Sequence, residues 1–479
     1  MIPDRFRWVF CQLDTLRRCM PSSLRKALNE LPSTLDDTYE RALEGIPKEK
    51  RQHAHRLFQC LVAAVRPLRV EELGEIFAIE FDAEVGLILS EDWRPEKPEE
   101  AVLSACSTLI AIIEAEDSKI VQFSHFSVKE FLTSGRLLTS EVGSIRHYHI
   151  PLDAAHTVLT RACLTVLLQL DEKVDKKRLA RFPLALYAAQ HWVKHAKFED
   201  VASRLQDAME CLFNPQNPYL VSWVWIYDPH RRQFRFSIEA LPERPSSLEA
   251  TALYYAALWG FSGLVNYLIV THGEDVNAMC GMHGTPLHAA LYEEHLNIAH
   301  LLLDHGADVN LGGIDGRTPL VTAYRRCNVE GMRLLLERGA DPDVRYDGYG
   351  LISHSASFEG QAEVMELLLR HKADINARGT DNWTPLHWAS GGGSVEVVQL
   401  LLGRGAGVNV QNKWQDTPLH RALRNGHLDV VRVLLGHGAD VHIRGRNNHT
   451  PFQAAKSQRY TEIAQLIEQL LLEHGAKEE

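Results

Sequence analysis

One period governs the second half of the chain. Thr-Pro-Leu-His, or a close variant of it, begins at Thr285, Thr318, Thr384, Thr417 and Thr450, all on a single 33-residue grid. The grid point at Leu351 keeps His354 and Ala356, and the one at Ala252 keeps Ala252-Leu253-Tyr254-Tyr255-Ala256-Ala257, so units start near 252, 285, 318, 351, 384, 417 and 450. A second phrase, fullest in Gly306-Ala307-Asp308-Val309-Asn310, recurs at the same spacing down to Gly438-Ala439-Asp440. Two phrases locked to one period require one small structure built seven times. Each copy is too short to bury its own apolar face, so the copies must stack.

The local chemistry of each copy is explicit. Thr caps a helix, Pro fills the first helical position where no donor is needed, and Leu points inward. The His three residues after Thr exchanges hydrogen bonds with it across the first turn. A second helix carries apolar triplets such as Leu301-Leu302-Leu303 and Leu400-Leu401-Leu402 and ends at a glycine in the left-handed position. Asp-Val-Asn then opens a turn toward the next copy. A 33-residue period with Thr-Pro-Leu-His is similar to the ankyrin repeat, and the resemblance covers nearly half the chain. It implies an α-solenoid in which turn tips and first helices form a concave groove for protein partners.

Residues outside the repeat grammar are the candidates for that groove. Met282, Tyr346, Tyr349, Trp383 and Trp414 fall at tips, and Tyr292, Arg325, Arg326, Phe358, Trp388 and Arg424 on or after first helices. Aromatic side chains and Arg are the usual anchors of interfaces. The middle of the stack is expected to be its weak point, because Ser353 stands where Leu belongs and Gly391-Gly392-Gly393 ends a helix. A longer last helix over 463–472 is expected to cap the stack, whose start leans on the helical region before it.

The first half has a different rhythm. Residues 5–19 have an apolar helical face that suggests the tail of an earlier module. Ser33 is placed to cap a helix opened by Asp36 and Asp37, and a helix over 48–65 turns Ala54, Leu57, Phe58, Leu61, Val62 and Val65 inward. Helices from Val70 and Pro98 follow. Leu109–Ala115 and Lys119–Ser124 are then β-rich runs flanking Glu116-Asp117-Ser118, a hairpin signal. Three helices and a hairpin make a winged helix. Helices over 154–170, 184–196 and 201–212 form a bridge, and loop-like stretches at 214–219, 228–232 and 242–247 lead to the repeats.

Cys11-Gln12-Leu13, Leu31-Pro32-Ser33-Thr34-Leu35-Asp36, Arg66-Pro67-Leu68 and Phe123-Ser124-His125-Phe126-Ser127 resemble the end of a NACHT module and the winged-helix domain behind it, of the GPI inositol-deacylase type. Such segments occur in fungal NACHT-ankyrin proteins, which are similar to NOD-like receptors. That family binds nucleotide through Gly-x-x-x-x-Gly-Lys-Ser/Thr, and no Gly-Lys pair occurs in this chain. Nucleotide, Mg²⁺ and other cofactors are therefore not carried over. Either this is a fragment or a protein that keeps only the regulatory and repeat parts.

Composition excludes more than it assigns. A net charge of −11 opposes general nucleic-acid binding, and Glu91, Asp92, Glu96, Glu99 and Glu100 crowd the winged helix's third helix and its approach. The eight scattered Cys form no disulfide or zinc pattern, and no signal peptide or long apolar span appears. His191 and His195 share one helix face, but without a third ligand they are expected to be structural rather than metal-binding. No nucleophile motif is present. The expectation is a mainly α, non-enzymatic scaffold or adaptor, cytoplasmic with the nucleus open. Its segments are a NACHT-like tail (1–20), a winged helix with a small β-hairpin (21–150), a helical bridge (151–245) and a seven-repeat ankyrin solenoid (246–479). Two alternatives stay open: a nuclear co-regulator of a fungal gene cluster, and a fragment of an NTP-dependent switch.

Overall fold

A computed structural model of the chain describes residues 34–81, 88–115, 118–140, 142–228, 238–346, 350–456 and 469–473. It is mainly helical with small antiparallel sheets, and forms two compact units, residues 1–252 and 253–479. The expected helix over 5–19, most of the terminal helix over 463–472, and Tyr349 lie outside the described residues.

In the first unit, helix α1 (Leu35–Glu44) is followed by α2 (Arg51–Ala63), β1 (Leu68–Arg69), α3 (Val70–Phe77), β2 (Ile79–Glu80), β3 (Ile88–Leu89), α4 (Pro98–Cys106), β4 (Ile110–Ala115) and β5 (Ser118–Phe123). Strands β4 and β5 form the expected hairpin, with Ile110 opposite Phe123 and Ala115 opposite Ser118, which joins the strand rather than the turn. Strand β1 completes the sheet on the other side of β5, with Leu68 opposite Val121. The order β1-β5-β4, with three helices interleaved, is that of a winged helix. The cap of α1 is Thr34 rather than Ser33: its hydroxyl accepts from Asp37 N (3.0 Å), and Asp37 Oδ2 accepts from Thr34 N (3.1 Å). Helix α2 ends two residues before Val65, which is therefore exposed, while Ala54, Leu57, Phe58 and Val62 are buried.

Helices α5 (Phe126–Thr133) and α6 (Gly143–Arg146) lead to α7 (Leu152–Leu167), α8 (Lys176–Leu179), α9 (Ala185–Ala196), α10 (Val201–Arg204), α11 (Gln206–Phe213) and α12 (Tyr219–Ile226). Helix α7 packs against both α2 and α9. Glu75, buried on α3, fixes this arrangement: one oxygen accepts from Arg94 (2.6 Å), the other from Leu184 N at the start of α9 (2.7 Å). His195 is locked nearby. Val65 N–H donates to the Tyr187 hydroxyl, which is hydrogen-bonded to His195 Nε2 (2.9 Å), and His195 Nδ1 bonds His156 Nδ1 (2.9 Å). Burial pushes the His195 imidazole down to about 3. Helix α12 has no counterpart among the sequence expectations; its Trp223 meets Trp192 and Phe213 edge-on and donates to the Ala189 carbonyl (2.9 Å).

The second unit is a regular stack. First helices α13 (Ala252–Trp259), α15 (Pro286–Tyr292), α17 (Pro319–Arg325), α19 (Ile352–Glu359), α21 (Pro385–Gly392), α23 (Pro418–Asn425) and α25 (Pro451–Lys456) begin on the 33-residue grid. Second helices α14 (Ser262–His272), α16 (Leu296–Asp304), α18 (Val329–Glu337), α20 (Ala362–Arg370), α22 (Val395–Gly403) and α24 (Leu428–Gly436) pack each against the next. A short hairpin, β6 (Arg345–Tyr346) and β7 (Gly350–Leu351), forms one of the tips.

Two recurring bonds tie copy to copy. His288 accepts from the Thr285 hydroxyl at Nδ1 (2.8 Å) and donates from Nε2 to the Arg317 carbonyl of the next tip (2.9 Å). His387 and His420 repeat this with Asp416 O (3.0 Å) and His449 O (3.3 Å). Asn277, Asn310 and Asn409 each accept from the backbone N–H of an Asp in the following copy, at 2.8 to 2.9 Å. The histidines are thus held neutral, with burial pushing His387 down to about 4 and His288 and His420 below the ordinary imidazole value.

In the middle of the stack the small residues sit at close contacts. Ser353, Ser355 and Ser357 on α19 are buried, and a side chain at Gly392 would overlap the Phe358 carbonyl. With no side chain at Gly392, α19 and α21 pack more extensively than any other pair of first helices. The glycines carry a backbone-entropy cost, and Gly392 admits the Phe358 carbonyl.

Candidate interaction site on the repeat tips

Four consecutive copies build one connected strip of aromatic and arginine side chains. It starts on α19, where Phe358 meets Trp388 of α21 edge-on (5.8 Å between ring centres, 87°). Trp388 packs on Trp383 of the preceding tip (4.9 Å), and Trp383 meets Trp414 of the next tip (6.2 Å). Guanidinium groups cover the indoles: Arg421 of α23 lies 4.6 Å from the Trp383 ring centre and Arg446 4.6 Å from that of Trp414. The Trp and Phe residues are half-buried, with aromatic surface exposed and ring positions fixed by neighbours.

Asp416 holds the strip together. Its carboxylate, almost fully buried, accepts from Arg424 Nη1 (2.5 Å) and Nη2 (3.1 Å) and from Arg446 N (2.8 Å). A bidentate guanidinium–carboxylate pair fixes direction as well as energy. Gly391 makes room for this: a Cβ there would lie 2.8 Å from Arg421 Nε, and its carbonyl accepts from Asn425 (2.6 Å) and His427 (3.0 Å). Burial, and next Arg424, hold the Arg421 pKa below the ordinary guanidinium value, with Asp416 opposing.

The remaining candidates divide. Tyr292 stacks on His283 (3.9 Å, 24°) with the Arg326 guanidinium 4.5 Å from its ring centre, a smaller cluster in the second and third copies. Tyr346 meets Tyr324 edge-on (5.2 Å), and Tyr324 donates to Glu359 (3.1 Å). Met282 is exposed at its tip, with Met279 and Ile314 exposed nearby in sequence at successive tips. Arg325 is solvent-exposed. Phe358, Trp383, Trp388, Trp414 and Arg424 are therefore brought together, and the others are not part of that strip.

The structure adds Arg421, Arg446 and Asp416. Arg421 stands four residues past Thr417, as Trp388 does past Thr384, and Asp416 shares the column of Trp383 directly before Thr. Comparing columns down the grid would have found both. In the first unit Glu99, expected to repel nucleic acid, pairs with Lys119 of β5 (2.6 Å). Among the described residues no cluster of three metal-ligating side chains occurs and no helix is long and apolar enough to cross a membrane. The six described cysteines are free thiols.

Comparison with known proteins agrees with both halves. Residues 253–347 and 352–445 match ankyrin repeats (three copies), and residues 39–143 match the GPI inositol-deacylase winged helix domain. The chain thus joins a winged helix of that type to ankyrin repeats, a module for protein–protein interaction. Among individual proteins it is 29% identical over 285 residues to azaphilone pigments biosynthesis cluster protein L of Monascus ruber, covering 57% of this chain and 59% of that relative. Its structure is similar to the ankyrin repeat domain of human ASB11 (30% identity, TM-score 0.40, 48% of this chain and 100% of that one). It is also similar to the ankyrin repeat domain of Bcl-3, of the IkappaB family (29%, 0.42, 46% and 100%), and to one from Acinetobacter baumannii (28%, 0.38, 40% and 98%).

Proposed function

We propose that this protein is a non-enzymatic scaffold or adaptor that holds a protein partner on the face made by its ankyrin tips and first helices. The observation that carries this is the Phe358-Trp388-Trp383-Trp414 strip with its arginines. Large aromatic and Arg side chains dominate interface energies, and groups already fixed in place lose little entropy on binding. The winged helix and the helices after it serve as docking or regulatory body, in a cytoplasmic protein. The test is affinity capture with the full chain and with the triple variant Trp383→Ala, Trp414→Ala, Arg424→Ala. Unchanged capture by a folded triple variant removes this face from consideration.

A second reading is supported by the relative from a pigment biosynthesis cluster. In it the chain acts in the nucleus as co-regulator of such a cluster, binding a transcription factor rather than DNA. Exclusion of a tagged chain from the nucleus counts against it. The NACHT resemblance at the N-terminal side supports a third, a part of a nucleotide-driven switch. An in-frame phosphate-binding loop upstream in the genome would be its necessary complement.

A further inference from the structure

The charge in the strip is not balanced. Asp416 is engaged by both terminal nitrogens of Arg424 and by the Arg446 backbone N–H. Arg421, next to Arg424 on the same helix, stands half-buried over Trp383, and among the described residues its buried Nε has no hydrogen-bond partner. The neighbouring cation Lys413 is already paired with Asp381 (3.2 Å). Its Nε lies against Gly391, so its terminal nitrogens are the ones open to a ligand, and a half-desolvated guanidinium stacked on an indole with no ion pair among the described residues favours a carboxylate brought from outside.

We propose that this strip recognises an acidic linear segment of a protein partner, an Asp or Glu carboxylate seating on Arg421 while an adjacent apolar side chain packs against Trp383 and Trp414. The assignment rests on the strip being the partner-binding face and names the chemistry it selects. Arg suits this role because its fork meets a carboxylate along two parallel bonds while its plane stays stacked on an aromatic ring. A nucleic acid fits less well. Phosphate binding draws on many cations along a backbone, and here two guanidinium groups, those of Arg421 and Arg446, lie over the indoles in an acidic chain of net charge −11. A small free anion would leave the flanking indole surface unused.

The test is selection of short linear peptides from a phage-displayed library on the full chain, followed by affinity measurement with synthetic copies. Bound peptides are expected to carry Asp or Glu within a few residues of an aromatic or aliphatic side chain. Replacing those acids by Asn or Gln weakens binding to the native chain about tenfold or more. Arg421→Gln produces a similar loss and abolishes the preference for acid over amide, whereas Arg421→Lys retains part of it; melting curves confirm that both variants fold. Peptides without acidic bias that nonetheless lose binding in Trp383→Leu overturn the carboxylate assignment and leave the binding face standing. Absence of enrichment, or peptides indifferent to both Trp383→Leu and Arg421→Gln, overturns the face as well. Displacement of acidic peptides from the strip by a single-stranded oligonucleotide at equal concentration overturns the choice of a protein segment.

Discussion

A methyl group at position 392 has nowhere to go, whereas at position 403 it meets nothing within 4 Å. Both glycines lie at the ends of helices, α21 and α22, so propensity alone predicts that Ala would help at each. Packing reverses the sign at one. Gly392→Ala is expected to cost about 2 kcal/mol or more, because the added carbon strikes the Phe358 backbone rather than a side chain that could turn away. Gly403→Ala is expected to gain about 0.5 kcal/mol. Denaturant midpoints of the two variants measure this, and a shift of the same sign in both would refute it. The same scale shows what the sequence disclosed about the site. Trp383 and Trp414 stood out because nothing in the repeat requires them. Arg421 did not, because a charged residue on a short helix ordinarily points to water; here Gly391 opens the space that lets it fold over an indole.

Elements were legible wherever a period could run. Where Thr-Pro occurs the first helix starts at its Pro, and the β4–β5 hairpin forms where expected, with Ser118 paired to Ala115 rather than in the turn. Strand β1 escaped because two residues cannot display alternation, and only its partner Val121 makes Leu68 a strand residue. Helix α12 escaped because Tyr219–Ile226 is apolar on every side, which erases helical periodicity. The repeat grammar also carries a defect that can be corrected. The third copy has Val321 where four of the copies have His, and the Thr318 hydroxyl is buried without a partner among the described residues. Val321→His is expected to restore the Thr–His bond and raise the stability of this unit by about 1 kcal/mol, or a few degrees in melting temperature. An unchanged or lower melting temperature would contradict it. In the first unit, Glu75→Gln removes the charge facing Arg94 and weakens the acceptor for Leu184 N. A loss of about 2 to 4 kcal/mol is expected, since one partner of a buried pair is left uncompensated. Urea unfolding of that variant reads the loss directly.

At the level of the whole molecule, both units share a dependence on neutral imidazoles. The 33-residue grid made the histidines of the repeat visible as caps, but not their second bonds, since those depend on where the next tip sits. His288, His387 and His420 each donate to a carbonyl there and accept from a Thr, leaving no site for a second proton. In the first unit, burial likewise pushes His55 and His191 down to about 4 and His195 to about 3. A folded pKa below the unfolded value of about 6.5 means that the unfolded chain binds more protons between those limits. The stability contributed is then complete above about pH 6.5 and is lost as pH falls toward 4, at roughly 1.4 kcal/mol per pH unit for each such histidine. Unfolding midpoints are therefore expected to drop steeply between about pH 6.5 and pH 5, a range in which ordinary surface carboxylates remain ionised. His387→Gln separates this cause from others. The last copy already uses an amide at that position, Gln453 accepting from Thr450 N at 3.0 Å, so the substitution keeps a neutral cap while removing the titration. Its midpoint should fall less between the two pH values than that of the native chain. An equally steep fall in the variant would place the acid sensitivity elsewhere than at the His387 bridge.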